Sequence, residues 1–131
     1  MKRLLFLATL TMLTACHKKS FEERVMEDVE KFNREEAPKR VDPITVQDSV
    51  KFAPDTHTLT YFYTMEGDAD NEEVLTEEVR QTHHDNLLKN LRGSIQLKPH
   101  KEQGFSFEYR YYSKKSGKLL IREQFVPEDY R

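Results

Sequence analysis

The chain lacks a second cysteine: Cys16 is the only one among 131 residues. An intrachain disulfide is therefore excluded, and the stability of the folded part must come from packing. An excess of one charge is missing too. The 21 lysines and arginines stand against 23 acids, net −2, a balance that argues against nucleic acid or anionic lipid as a partner. No apolar run reaches the roughly 20 residues that a membrane-spanning helix needs. There are no internal repeats and no low-complexity tract. Gly-x-Ser-x-Gly, phosphate-loop and dinucleotide fingerprints are all missing, which removes the common sequence signatures of hydrolase, nucleotide and flavin chemistry. A hydrolase site dispersed along the chain stays open as the third functional class.

What is present begins at the N-terminus. Met1-Lys2-Arg3 is a short positive region, and Leu4 to Leu13 is unbroken apolar residues and threonines. That length fits the apolar stretch of an export signal. Leu13-Thr14-Ala15-Cys16 then matches a bacterial lipobox: a branched apolar residue, two small residues and a cysteine. Thioether lipidation needs a thiol at the cut site, and small residues let a peptidase reach the backbone. The reading is a signal peptide over 1–15, a lipidated tether over 16–20 and a single domain over 21–131. Processing removes Lys2 and Arg3 and no acid, so the net charge falls from −2 to −4. Lipid on Cys16 places the protein in the cell envelope, on the outer membrane facing the periplasm, with the membrane as its first partner.

Ser20-Phe21-Glu22-Glu23 fits a capping box. Phe21, Val25, Val29 and Phe32 recur at helical spacing, and Pro38 ends the helix near Ala37. From Ile44 the period becomes two. Ile44, Val46, Val50 and Phe52 share one side, interrupted by Asp48, and Leu59, Tyr61, Tyr63 and Met65 follow after a Pro54-Asp55-Thr56 turn. These two runs predict a β-hairpin. The pattern next predicts a helix from Glu72 or Leu75 to Leu91, with stripe Leu75, Val79, His83, Leu87 and Leu91 and with Gly93 as a left-handed cap. Ser94 to Gln103 reads either as a strand or as one helical turn that Pro99 ends; the turn is preferred. A second hairpin pairs Phe105 to Tyr112 with Lys118 to Val126 across Lys115-Ser116-Gly117. The expected fold is α+β, order α-β-β-α-β-β: a four-stranded, largely antiparallel sheet of two β-hairpins, with helices packed on one face.

These hairpins carry a resemblance. Val41-Asp42, Asp48-Ser49-Val50, Leu59-Thr60-Tyr61-Phe62-Tyr63-Thr64, Gly104-Phe105, Phe107-Glu108-Tyr109-Arg110-Tyr111, Ser116-Gly117 and Pro127-Glu128-Asp129-Tyr130 together resemble small, uncharacterised Gram-negative lipoproteins, many from Bacteroides-like bacteria. Their shared motifs are structural, so the resemblance implies the fold and the anchor and no catalytic residue.

Four patterns invite a chemical reading. Gln103 to Tyr109 looks like the aromatic RNA-binding strand of an RRM domain, but it lacks the leading basic residue and puts Glu108 at an apolar position. Asp68, Asp70 and Glu72 alternate as in a calcium loop, yet Glu73 stands where glycine is needed and Val79 where the bidentate glutamate belongs. His83 and His84 are adjacent, whereas zinc ligation from one helix wants i and i+4, and no ligand lies four residues from either. No metal or other cofactor is expected. What remains is the face opposite the presumed core, with Thr60, Phe62, Thr64, Glu108, Arg110 and Tyr112. Tyrosine, phenylalanine and arginine are the side chains interfaces favour, so Phe62, Arg110 and Tyr112 are the candidate binding residues; the bland alternative is a solvated face. The function expected is a lipid-anchored, non-catalytic binding or accessory module with a protein partner. The alternative is an inhibitor or immunity-type protein acting on a secreted partner.

Overall fold

A computed structural model describes residues 16–131; the signal-peptide reading over 1–15 lies outside the described residues. Helix α1 (Phe21–Lys31) opens with the expected box: Ser20 Oγ accepts the Glu23 N–H at 3.1 Å, and a Glu23 carboxylate oxygen accepts the Ser20 N–H at 2.8 Å. It runs on through one wide turn, Phe32–Glu36, before Pro38. Within that turn the Asn33 side chain donates to the Val50 carbonyl and accepts from the Val50 N–H, at 2.8 and 2.9 Å. An amide side chain thus stands in for a strand neighbour.

The strands are β1 (Lys39–Asp42), β2 (Thr45–Ala53), β3 (Thr58–Met65), β4 (Ser106–Ser113) and β5 (Leu119–Phe125), side by side in chain order. Two expectations change here. The sheet has five strands, because the short and fully exposed β1 pairs antiparallel with β2. It is mixed, because β3 and β4 run parallel. Parallel neighbours need a long crossover, and the helices between β3 and β4 supply it: α2 (Glu77–Gly93) and α3 (Lys98–Glu102). The two predicted hairpins, β2–β3 and β4–β5, are present. A last turn, α4 (Pro127–Tyr130), follows β5.

A bulge corrects the predicted face of β2. Its register against β3 shifts between Gln47 and Ser49, so Val50 and Phe52 oppose Tyr61 and Leu59 while Val46 opposes Thr64. An extra residue in one strand reverses the alternation beyond it. Thr45 and Gln47 therefore point to the core side, Val46 to the other, and Ile44 is exposed. Asp48, the residue that interrupts the apolar pattern, sits in the bulge and accepts from Thr64 Oγ1 at 2.6 Å.

Helix α2 begins at Glu77, after two 3-10 turns, with Thr76 as cap; Val79 is exposed rather than part of the buried stripe. Gly93 is the last helical residue and not a left-handed cap. Pro99 stands in the first turn of α3, where a missing N–H costs nothing, and so starts a helix instead of ending one. Ser94 Oγ accepts from Leu97 N–H at 3.2 Å in the turn ahead of it.

The core lies between the helices and one side of the sheet. Phe105 and Phe107 are fully buried, with Phe125 and Leu91 almost so. Phe52 stacks on Phe105 at 5.2 Å, Phe21 meets it edge-on, and Tyr130 donates to the Phe105 carbonyl at 2.7 Å. The acidic loop is part of the frame as well. Asp70 is buried, accepts from Lys115 N–H at 3.0 Å, and is held below the usual carboxylate range first by the Ser113 hydroxyl. It ties the end of β3 to the β4–β5 turn.

Candidate binding face of the sheet

Alternation along β3 and β4 separates two sets of side chains. Odd-numbered aromatics meet the helices; Thr58, Thr60, Phe62, Thr64 and Glu108, Arg110, Tyr112 turn away from them. The parallel register puts Phe62 opposite Arg110 and Thr64 opposite Tyr112, so the three predicted binding residues are brought onto one face. The Arg110 guanidinium lies over the Phe62 ring, 5.8 Å from its centre. Phe62, Arg110 and Tyr112 are each half-buried by their strand neighbours, without a helix above them.

At the centre is Glu108, 5% exposed. Arg110 and Arg122 both donate from Nε to the same oxygen, Arg122 at 3.0 Å. Burial alone would raise this carboxyl; the guanidiniums of Arg122 and Arg110 outweigh that and hold it below the usual range. Glu108 is consequently an anion that fixes two cations. Next to it a depression of about 300 Å³ is lined by Lys51, the Thr56, Thr58 and Thr60 side chains, Phe62 and Gln124. The sequence marked Glu108 on this face but not its burial, and it missed Arg122, which a register shift within the β4–β5 hairpin sets opposite Arg110.

The other side of the sheet carries a feature that sequence reasoning filed under core. Tyr61 stacks on Tyr109 at 5.2 Å and Tyr63 on Tyr111 at 4.7 Å. Three of these tyrosines floor a cleft of two neighbouring hollows that share Tyr61 and Leu97: about 310 Å³ against Val29 of α1 and Phe32 of the wide turn, and about 320 Å³, with Tyr63 and Tyr109, against Leu87 and Leu91 of α2. Burial raises the phenol of Tyr63 to about 12 and pushes Tyr61 and Tyr109 up as well. The available signal was tyrosine in place of phenylalanine at alternate inward positions, since a phenol keeps one polar end that seeks a partner or water.

His83 and His84 both pack on aromatic rings. His83 meets Tyr111 edge-on at 4.8 Å with its Nε2 buried and unbonded; burial pushes its pKa down. His84 Nδ1 lies 2.7 Å from a Glu123 oxygen. Among the described residues no three His, Cys, Asp or Glu side chains are placed to share a metal ion. Cys16 is exposed and unpaired, and among the described residues no helix is long and apolar enough to cross a membrane.

Residues 20–121 match a family described as Domain of unknown function (DUF8479). The chain belongs to that family. No curated protein matches it. Two solved structures are similar in fold. One is a protein from Pseudomonas aeruginosa described as secreted, with TM-score 0.68 and 12% identity over 82% of this chain and 91% of that one. The other is EpsS, the pilotin of the Vibrio vulnificus type 2 secretion system, with TM-score 0.58 and 10% identity over 80% of this chain and 86% of that one. At these identities the DUF8479 chain shares an architecture with both.

Proposed function

We propose that this DUF8479 protein is a lipid-anchored accessory protein of the cell envelope that binds a protein partner through the helix-free face of its sheet. One observation carries the reading: Phe62, Arg110 and Tyr112, distant in sequence, stand together on a face that no helix covers. An antiparallel hairpin can leave one side to water, but an arginine laid on an aromatic ring beside a tyrosine is the composition of an interface anchor. Two further facts support the envelope setting. Cys16 is exposed only a few residues ahead of a well-capped helix, as a short tether requires. The fold is also that of a pilotin and of a protein described as secreted, and the pilotin belongs to a secretion system, which makes an envelope protein the natural class of partner.

A second reading places the partner in the tyrosine-floored cleft between α1 and α2. The apolar walls of its two neighbouring hollows favour an apolar segment of a partner there. The anchor is tested by metabolic labelling with palmitate. Cys16→Ser should lose both label and membrane retention, whereas label persisting in the variant would remove the lipoprotein reading.

A further inference from the structure

Arg110 and Arg122 stand directly opposite each other on β4 and β5. Like charges in that relation are destabilising, and the single buried carboxylate they share offsets one of the two positive charges. Lys51, on β2, has no acidic partner among the described residues and reaches the same depression. Three cations therefore surround one anion on this face, although the chain as a whole is net −2. Asp48, the other strand acid on this side, is bonded to Thr64 at the far end. One guanidinium would balance the Glu108 charge; the second, with Lys51, leaves this face with surplus positive charge, and a local rule broken beyond what the fold requires marks a candidate functional position.

From this geometry we infer that the face recognises an acidic peptide segment of its partner, whose carboxylates seat on Arg110, Arg122 and Lys51. The inference rests on the binding reading above and names the chemistry of its occupant. Both arginines spend Nε on Glu108, and Arg122 also reaches Gln124 Oε1 from Nη2 at 3.5 Å; each guanidinium is thereby held in place with N–H donors left over for a carboxylate. Phe62 beneath Arg110 supports the plane of that fork. The spread of charge favours a chain over a small anion. Strands lie about 4.8 Å apart, so Lys51 on β2 and Arg122 on β5 are separated by about three strand spacings, or roughly 14 Å. One phosphate or carboxylate cannot touch both, whereas acids spaced along an extended peptide can.

The test is fluorescence anisotropy with the full lipidated protein in detergent and a labelled decapeptide of alternating glutamate and serine, beside its glutamine counterpart. Saturable binding of the glutamate peptide alone is expected, weakening with salt and falling at least tenfold in Arg110→Gln and in Arg122→Gln. Lys89→Gln, an exposed cation on α2, should bind as the parent does. Near-ultraviolet circular dichroism checks that each variant is folded. Equal binding by the arginine variants and the parent, or an equal loss in Lys89→Gln, overturns the inference. So does loss of binding to phosphatidylglycerol vesicles in the arginine variants if the peptide never binds, because the surface would then be a membrane contact. Should Phe62→Ala abolish capture of the native envelope partner while both arginine variants retain it, the face binds but not through carboxylates. Should none of these variants alter capture, the binding reading falls with it.

Discussion

On one side of the sheet Phe107, Tyr109 and Tyr111 are sealed beneath the helices; one residue along the same strand, Glu108, Arg110 and Tyr112 face away from them. The core side is held by shape. Its rings stack or meet edge-on, and its energy comes from apolar area removed from water. The open side is held by charge and hydrogen bonds, with Glu108 as its buried charge. The contrast teaches that burial alone does not sort structural from functional residues: Glu108 is as buried as the core tyrosines beside it, yet it organises the surface.

Substitutions can break this contrast in order of expected effect. Phe107→Ala should cost about 3–5 kcal/mol in a urea melt, since a fully buried ring leaves a cavity. Glu108→Gln should cost less, about 1–2 kcal/mol, because it removes a charge-assisted partner from two arginines that remain partly in water. A loss as large as that of Phe107→Ala would make the open side a second core. Phe62→Ala and Tyr112→Ala should each change stability by about 1 kcal/mol or less, which the same melts would show.

A pH series sharpens the core half of the comparison. Burial lowers the pKa of His83 from its ordinary 6.5, so the unfolded chain binds the proton more readily than the folded one. The stability this contributes is present above pH 6.5 and is lost as pH falls from there through the lowered value. Melting temperature should drop on acidification through that range, and His83→Gln should flatten the slope. An unchanged slope would mean that the imidazole is solvated.

Much of this fold is written in local pattern. The capping box at Ser20, the alternating runs of β3 and β4 and the turn residues between hairpin strands place most elements, because each acts over a few neighbours. The expectations that changed depend on long-range partners. The bulge at Asp48 is visible only through its register against Thr64 and Phe62. Strand β1 shows no buried face of its own, and the parallel β3–β4 contact is set by how the α2–α3 crossover returns. For the candidate face, strand alternation was enough to group Phe62, Arg110 and Tyr112. Arg122 was out of reach, since its face depends on the register shift between Tyr111 and Tyr112 in the β4–β5 hairpin, which the turn residues do not reveal.

The central claim is that the partner meets the helix-free side. Site-specific photocrosslinking in the native membrane tests it most directly, with a photoreactive phenylalanine replacing Tyr112 on that side and, separately, Leu87 in the cleft between the helices. The account predicts a discrete protein adduct from position 112 and none from position 87. An adduct from position 87 alone would contradict it and give the binding role to the tyrosine-floored cleft.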